Sequence, residues 1–298
     1  MSRYARAHDL ESWLCDPRIA TRGFAHRWHS TVATGNGEDA FLALVDAHIR
    51  PEFDVLDLGC GHGELTLDLA TRCRSVTGIE RETGYLELAR ELAGRQVTNA
   101  RFHQVNLAGP DETDRPFAAI PLPDASIDLF VNRRGPILRR YLAEALRIAR
   151  PGAALVGLHP AGNVPLPAWA DLLPEAYRAY FTTWSHAQVT AWVTEPLDAA
   201  GIAEYSLWWI DVPEYLRAPY ELYTRLGGRQ AVDAPEFLAV EADFARVIDV
   251  HATAHGLVVR HHRLLWQARL PEESSVIKPL AHERAHPVGQ GLDTPRTA

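Results

Sequence analysis

The sequence predicts an α/β protein built on a mostly parallel sheet with helices on both of its faces. Short apolar segments alternate with amphipathic ones between residues 39 and 158, as in successive βαβ units. One strand-like run, "DVLDL", leads directly into glycines at positions 59, 61 and 63, an arrangement typical of the turn from a strand into a helix in α/β proteins. The chain has 298 residues, 47% of them hydrophobic, so it is long enough to bury a large core.

The first elements follow from periodicity and from residues that end helices. Helical spacing occurs before Pro51, after the glycines, and again up to Gly94, whose position suits a helix cap. Apolar or β-branched runs between these helices predict strands. In chain order the segments are "EDAFLALVDAHI" (helix), "FDVLDL" (strand), "ELTLDLATRC" (helix), "SVTGIE" (strand), "RETGYLELARELAG" (helix) and "RFHQV" (strand).

A fourth strand, "SIDLFV", follows the turn-rich segment "AGPDETDRP". The segment "PILRRYLAEALRIARPG" is predicted to be one helix, because Pro136 suits a first turn and Pro151 with Gly152 suits an end. The apolar face of this helix comprises Leu138, Leu142, Ala145 and Ala149. "ALVGL" is predicted to be the fifth strand.

After residue 158 the alternation becomes less regular. We predict a helix in "HAQVTAWVTEPLDAAG", strands in "AEYSLWWIDV" and "RHHRLLWQARL", and an inserted helical lid over residues 213–256 between those strands. The predicted organisation is a helical N-terminal cap segment over residues 1–38, one domain over 39–270 that carries this insertion, and a disordered tail over 271–298. The tail is polar and aperiodic and contains prolines.

Charge and cysteine content argue against several classes of function. The formal net charge of −8 disfavours broad binding to nucleic acid or to an anionic membrane. No apolar stretch reaches the roughly 20 residues of a membrane span, and the N-terminus has no apolar signal core. The three cysteines lack C-x-x-C spacing, and the segments "RHH" and "HERAH" lack the spacing of a catalytic zinc site. We therefore expect a cytoplasmic protein without a metal site.

The glycine-rich segment "LGCGHGE" is the clearest functional feature. A strand, a glycine turn and a helix together present backbone N–H groups and the positive end of a helix to a ligand. A dinucleotide site has the pattern G-x-G-x-x-G, whereas here the spacing is G-x-G-x-G, and Glu64 at the helix start would repel a pyrophosphate. Glu80, at the end of the second strand, can accept both hydroxyls of a ribose, and Asp57 suits a positively charged ligand. These features favour a cationic adenosine compound over a dinucleotide.

Taken together, these segments resemble the class I S-adenosylmethionine-dependent methyltransferases. The likeness covers about residues 39–160 and comprises "VLDLGCGHGELTLDLA", "VTGIE", "FHQVNL", "LPDASIDLFVNRRG" and "LAEALRIARPGAALVGL", in the family's order and spacing. The resemblance implies a Rossmann-like sheet of seven strands whose last strand runs antiparallel. It also implies S-adenosylmethionine as the cofactor.

The same resemblance implies roles for individual residues. Asp57, Gly59 and Gly61 would face the methionine part of the cofactor, with Cys60 contributing its backbone. Glu80 would bind the ribose, Arg81 would flank the adenine, and Asn106 and Leu107 would lie beside the adenine amino group. Asn106 stands where the family usually has an acid, although its amide oxygen can accept the same hydrogen bond. Asn132 would line the cofactor near its methyl group.

The sequence says less about the methyl acceptor. Arg133 either binds an anionic or carbonyl-bearing substrate or pairs with an acid such as Glu64 or Asp171, and His159 is a candidate general base. We expect a methyltransferase that acts on a small molecule. One alternative is an RNA methyltransferase, favoured by the arginines of "RRGPILRR" and "RVIDVHATAHGLVVRHHR". The other is a protein that binds the cofactor or a nucleoside without catalysis.

Overall fold

Seven strands form one sheet in the computed structural model, which describes residues 38–94, 97–107, 119–161, 167–178, 185–227 and 235–272. The strands are β1 (Asp54–Leu58), β2 (Ser75–Glu80), β3 (Ala100–Gln104), β4 (Ile127–Arg133), β5 (Ala149–Ala161), β6 (Tyr205–Leu216) and β7 (Leu257–Arg269). Their order across the sheet is β3-β2-β1-β4-β5-β7-β6. All neighbours are parallel except β7, which runs antiparallel to both β5 and β6. The predicted seven-stranded sheet with an antiparallel last strand is therefore confirmed.

Eight α-helices connect or follow these strands in the described part of the chain. They are α1 (Glu38–His48), α2 (Glu64–Ala70), α3 (Thr83–Ala93), α4 (Leu142–Ile148), α5 (Glu175–Arg178), α6 (His186–Ala199), α7 (Pro219–Gly227) and α8 (Phe237–His251). Two 3₁₀ turns cover Leu138–Arg140 and Ala168–Leu172. The predicted helices before β1, after the glycines and before β6 are all present. No helix among the described residues is long and apolar enough to cross a membrane.

The single helix predicted over residues 136–152 is wrong in its extent. The segment instead contains the 3₁₀ turn, then α4, and β5 begins at Ala149. A residue that precedes proline disfavours the helical conformation, so the chain leaves α4 before Arg150 and Pro151. The Arg150 side chain then bonds to Asp54 on β1, at 2.9 Å, and to Asp128 on β4. This network fixes the start of β5 at the amino-terminal edge of the sheet.

Hydrophobic side chains cover both faces of the sheet, as βαβ connections require. On one face α4 and α6 pack over the central strands, with fully buried side chains that include Leu142, Val193 and Trp266. On the other face α1 and α2 contribute buried side chains that include Phe41 and Leu69. The two layers hold the strand ends rigidly relative to one another.

The residues between β6 and β7 form a small core of their own. Helices α7 and α8 pack with the 3₁₀ turn Ala168–Leu172 and with α5 around buried Tyr177, Phe244 and Leu222. The first four residues of the insertion predicted over 213–256 belong to β6, which runs to Leu216. The domain boundaries themselves remain predictions, because residues 1–37 of the predicted cap segment and residues 273–298 of the predicted tail lie outside the described residues.

The order of the strands creates a crevice beside β1. From β1 the chain builds outward to β2 and β3, then crosses to the other side of β1 for β4 and β5. At such a point the loops after neighbouring strands diverge, which opens a site at their carboxyl ends. The carboxyl ends of β1, β2, β4 and β5 all lie at this crevice.

Candidate active site

A cavity of about 500 Å³ lies at the carboxyl ends of β1, β2, β4 and β5. This volume is in the range of small-molecule and cofactor sites. The described residues that line it come from the ends of β1, β2, β4 and β5, from the segments that follow β1, β2, β3 and β4, and from single positions on α2, α3 and α6. They are Asp57, Gly59, Cys60, Gly61, His62, Leu65, Ile79, Glu80, Arg81, Glu82, Tyr85, Val105, Leu107, Arg133, Arg134, Gly135, Pro136, Ile137, Arg139, Arg140, His159, Pro160 and Trp192.

The glycine loop forms one wall of the cavity. The N–H groups of Gly59 and Cys60 both donate to the Ile79 carbonyl at 2.9 Å, which fixes the loop to the end of β2. Gly61 has a φ of +54°, and a side chain built at this position would meet nothing within 4 Å. The backbone of Gly61 is therefore bare toward the cavity. The loop gives a ligand the close approach that the sequence predicts.

The Glu80 carboxylate is held at the cavity wall by backbone groups. Its Oε2 accepts a hydrogen bond from the Gly61 N–H at 3.0 Å, and its Oε1 accepts from the Arg81 and Glu82 N–H groups at 2.8 and 3.1 Å. A carboxylate has about four acceptor sites on its two oxygens, and three are used here, so Oε2 can still accept a hydrogen bond from a ligand. Glu80 is thus a fixed acceptor that suits a ribose hydroxyl.

Asp57 is a buried acid at the base of the same loop. Only 2% of its surface is exposed, and the Thr66 hydroxyl donates to its Oδ2 at 2.6 Å. Burial raises the pKa of the Asp57 carboxyl to about 6, while the Thr66 hydrogen bond and the charge of Arg133 act in the opposite direction. A buried carboxylate with so little compensation favours a positively charged ligand.

Arg133 forms an ion pair at the glycine-loop end of the cavity. Its Nη2 lies 3.1 Å from Glu64 Oε2, and its charge also acts on Asp57. Of the two roles considered for Arg133, the structure shows the pairing with Glu64. Asp171, the other acid considered, lies 3.8 Å from Arg178 instead.

Of the remaining predicted cofactor residues, some line the cavity and others do not. Leu107 and Arg81 line the cavity, whereas Asn106 is half-buried and is not part of the described wall. Cys60 lines the cavity with a buried thiol, and burial raises its pKa above the ordinary value, so the thiol stays protonated. Cys60 therefore contributes shape and backbone rather than a nucleophile.

Asn132 is turned away from the cavity wall. Its Nδ2 donates to the Pro136 carbonyl at 2.7 Å and to the Tyr141 hydroxyl at 2.9 Å. Its Oδ1 accepts from the Gly135 N–H at 2.9 Å. All of these bonds stay within the segment that follows β4, so the amide holds that segment in place. The geometry gives no support to the prediction that Asn132 lines a ligand.

His159 lies on the opposite side of the cavity from the glycine loop. It is 3% exposed and stacks on Trp266 with ring centroids 6.1 Å apart. Its Nε2 is buried and has no hydrogen-bond partner among the described residues. Burial lowers the pKa of His159 to about 4, so the imidazole is neutral near pH 7. A neutral ring nitrogen can accept a hydrogen bond or a proton from a ligand.

Some wall residues were not predicted as parts of the site. Arg139 and Arg140 lie in the 3₁₀ turn and Trp192 lies on α6, yet all three line the cavity. The two arginines were visible in the sequence as part of "RRGPILRR", but the prediction of one continuous helix concealed their position. Trp192 gave no signal, because one aromatic residue on an amphipathic helix is typical of core packing.

None of the described residues of the predicted lid, 213–227 and 235–256, lines the cavity. The described residues also contain no group of three or more His, Cys, Asp or Glu side chains that could hold a metal ion.

Residues 55–152 match the model of a family described as a methyltransferase domain. This segment runs from β1 to the start of β5 and contains the glycine loop, Asp57 and Glu80. The sheet order and the cavity at its carboxyl edge agree with the resemblance of this segment to a methyltransferase domain.

Solved structures share the fold over most of the chain. The YcgJ protein of Bacillus subtilis is 17% identical with a TM-score of 0.52, and the alignment covers 79% of this chain and 100% of that one. A functionally unknown protein from Deinococcus radiodurans R1 is 22% identical with a TM-score of 0.57, over 87% and 99% of the two chains. A protein from Bacillus halodurans C-125, described provisionally as a methyltransferase, is 14% identical with a TM-score of 0.53, over 78% and 99%. At these identities the likeness shows a shared fold.

Curated relatives match a shorter part of the chain. The 23S rRNA (uracil(1939)-C(5))-methyltransferase RlmD of Xanthomonas campestris pv. campestris (strain 8004) is 46% identical over 67 residues. The enzyme of the same name from Pectobacterium carotovorum subsp. carotovorum (strain PC1) is 41% identical over 78 residues. These matches cover 22% and 26% of this chain, but the chain spans only 15% and 17% of the relatives' length. According to their names, those two enzymes methylate a uracil of 23S rRNA.

Proposed function

We propose that the protein transfers the methyl group of S-adenosylmethionine to a small molecule. The observation that carries this proposal is the position of the arginines that had favoured RNA. Arg133, Arg134, Arg139 and Arg140, the whole basic content of "RRGPILRR", line the cavity. Arg133 pairs there with Glu64, and the charge of the other three lies at the cavity wall rather than along an outer surface that could follow a phosphate backbone.

The second arginine-rich segment does not form a basic surface either. Arg263 is fully buried, and Arg260 forms an ion pair with Asp211 on the neighbouring strand. Arg246 is exposed on α8. Nonspecific RNA binding depends on several phosphate contacts made together. The three arginines are too differently placed to supply them.

The residues of the glycine-loop end fit the cofactor. Glu80 presents a fixed oxygen that suits a ribose hydroxyl, the bare backbone at Gly61 allows close approach, and Asp57 provides a buried negative charge for the ammonium group. When bound, S-adenosylmethionine supplies a methyl group attached to a positively charged sulfur, and this sulfur is the leaving group when the methyl is transferred. The task left to the chain is to hold the acceptor in line and to exclude water, which contributes roughly 7–11 kcal/mol for well-oriented reactants.

The acceptor can be traced with radioactively labelled methyl groups. We would incubate the protein with S-adenosylmethionine labelled in its methyl group and two fractions from one bacterial lysate, metabolites that pass a small-pore filter and purified total RNA. We expect label in the metabolite fraction and none in acid-precipitable RNA. An Asp57→Ala variant, which should bind the cofactor poorly, serves as the control for transfer that does not depend on the site.

Label in the RNA fraction alone would reject the small-molecule proposal. It would favour the activity named for the partial relatives, transfer to ribosomal RNA. Loss of that label after digestion with ribonuclease would show that RNA is the acceptor rather than a contaminant.

A further inference from the structure

Charge is unevenly distributed along the cavity wall. The acids of the described wall are Asp57, Glu80 and Glu82, which lie on or directly after β1 and β2, and Arg81 beside them pairs with Glu82 at 3.0 Å. On the other side of β1, the wall formed after β4 contains Arg134, Arg139 and Arg140. Among the described wall residues no acid follows β4 or β5. The strand order therefore places the cofactor-binding acids on the β1–β2 side of the cavity and these arginines on its β4 side.

We infer that the methyl acceptor is a small organic anion whose acid group is bound by Arg134, Arg139 and Arg140, with His159 accepting a hydrogen bond from its nucleophilic group. This inference rests on the proposed function and specifies the class of its substrate. Guanidinium groups bind carboxylates and phosphates through paired hydrogen bonds, so either acid group would fit.

Arg134 has a backbone conformation that is unusual for its residue type. Its φ is +60°, in the left-handed region that residues with a side chain rarely adopt. The Arg134 N–H donates to the Leu158 carbonyl at 2.8 Å, which joins this turn to β5. The next residue of β5 is His159, so the bond places the two residues side by side at the cavity. Strain of this kind is concentrated at functional sites.

Arg139 and Arg140 are consecutive residues of one short turn. Leu138, which precedes them, is fully buried and anchors the turn in the core. Arg139 is exposed and has no hydrogen-bond or ion-pair partner among the described residues, and Arg140 is half-buried. An anchored turn that directs two guanidinium groups into one cavity is suited to bind an acid group at its mouth.

His159 provides an observation that is independent of the arginines. A side chain this deeply buried normally satisfies its polar atoms, because an unsatisfied one costs roughly 1–3 kcal/mol. The Nε2 of His159 is buried and has no described partner. A hydroxyl or amino group of the acceptor would satisfy it.

The remaining wall at this end is apolar. Ile137, Pro160 and Trp192 line the cavity around the arginines. They suit the hydrocarbon or aromatic body of an organic acid better than a bare inorganic ion. A flat ring carrying one acid group is the simplest probe with this chemistry.

Calorimetric titration can test the acid group directly. Protein saturated with S-adenosylhomocysteine would be titrated with benzoate, phenyl phosphate and benzamide, the last being a neutral match for benzoate. We expect at least one anion to bind ten times more tightly than benzamide or better. If neither anion binds more tightly than benzamide, the inference is wrong.

Variants then locate the acid group. Arg139→Gln and Arg140→Gln should each weaken binding of the preferred anion about fivefold to tenfold and leave binding of S-adenosylhomocysteine unchanged. Arg246→Gln, which removes an exposed arginine far from the cavity, is the matched control and should change neither. Equal anion affinity in all three variants and the wild type would contradict the assignment.

The three isomers of hydroxybenzoate test His159. In the wild type at least one isomer should bind more tightly than benzoate, and His159→Leu should remove this gain while benzoate binding stays the same. A gain that survives in His159→Leu, or no gain with any isomer, would remove His159 from the proposal.

Failure of the proposed function would look different. Absence of S-adenosylhomocysteine binding, or transfer of label to RNA, would reject small-molecule methylation. Normal S-adenosylhomocysteine binding with label in the metabolite fraction, but no preference for anions, would reject only the anionic acceptor.

Discussion

Among single residues, Asp57 has the most unusual environment. Its folded-state pKa of about 6 lies above the ordinary 3.8, because burial disfavours the charged form. A group whose pKa is raised on folding lowers the stability as the pH rises from the unfolded pKa to the folded one. The carboxyl therefore costs the ligand-free protein up to about 3 kcal/mol above pH 6. The same charge is what a cationic ligand would bind.

Asp57→Asn should separate stability from binding. Because the variant lacks the buried charge, we expect its free energy of unfolding at pH 7 to exceed that of the wild type by up to about 3 kcal/mol, so it should unfold at a higher urea concentration. At pH 4 the two proteins should unfold at nearly the same urea concentration. Its affinity for S-adenosylmethionine should fall more than tenfold at pH 7. The wild-type affinity should rise between pH 5 and pH 7, and that of the variant should not.

Urea unfolding and calorimetry at pH 4–7 measure these quantities. Asp249→Asn, at an exposed position of α8, controls for the loss of one acid. An equal stability difference at pH 4 and pH 7 would show that Asp57 does not carry its raised pKa in the folded protein.

At the scale of elements, the glycine loop depends on close packing as well as on backbone conformation. Gly63 has a φ of +84°, and a methyl group added there would lie 2.9 Å from the Ala89 side chain on α3 and 3.0 Å from Phe102 on β3. Gly201 has a similar φ of +73°, but nothing lies within 4 Å of the corresponding position. The two glycines share the conformational demand and differ in available space.

This pair predicts unequal effects of the same substitution. Gly201→Ala should lower the free energy of unfolding by about 1 kcal/mol, the cost of the positive φ alone. Gly63→Ala should cost roughly 2–4 kcal/mol, since overpacking adds to that cost. Denaturant unfolding of both variants measures the difference. Equal losses would mean that α2 can move away from α3 and β3, and that close approach is not what Gly63 provides.

Elements were predictable where the local pattern and the fold agree. Apolar spacing, together with glycine or proline at the ends of the segments, predicted the glycine turn, the alternation of β1, β2 and β3 with helices, and the helix that forms α6. The helix predicted over 136–152 was wrong because apolar spacing at Leu138, Leu142 and Ala145 continues through a 3₁₀ turn. Periodicity does not record where a turn tightens, and here that tightening places Arg139 and Arg140 at the cavity.

At the scale of the whole molecule, the two ends of the cavity differ in how much the sequence reveals. Most of the cofactor end is built from residues 57–82, a continuous part of the chain whose pattern identifies it, with Leu107 added from the segment after β3. The other end joins the turn after β4, the end of β5 and one residue of α6, which are distant in sequence. Only the sheet order brings Arg139, His159 and Trp192 together, so their convergence could not be predicted from spacing.

The central claim is that the cavity beside β1 binds S-adenosylmethionine through Glu80 and the glycine loop. Calorimetric titration of the wild type and Glu80→Ala with S-adenosylmethionine tests it most directly, with Glu241→Ala on α8 as the control. We predict binding in the micromolar range for the wild type and the control, and at least thirtyfold weaker binding for Glu80→Ala, because the substitution removes the acceptor for the ribose and the carboxylate that fixes the Gly61 N–H. No binding to the wild type at millimolar ligand, or equal affinity in Glu80→Ala, would contradict the account.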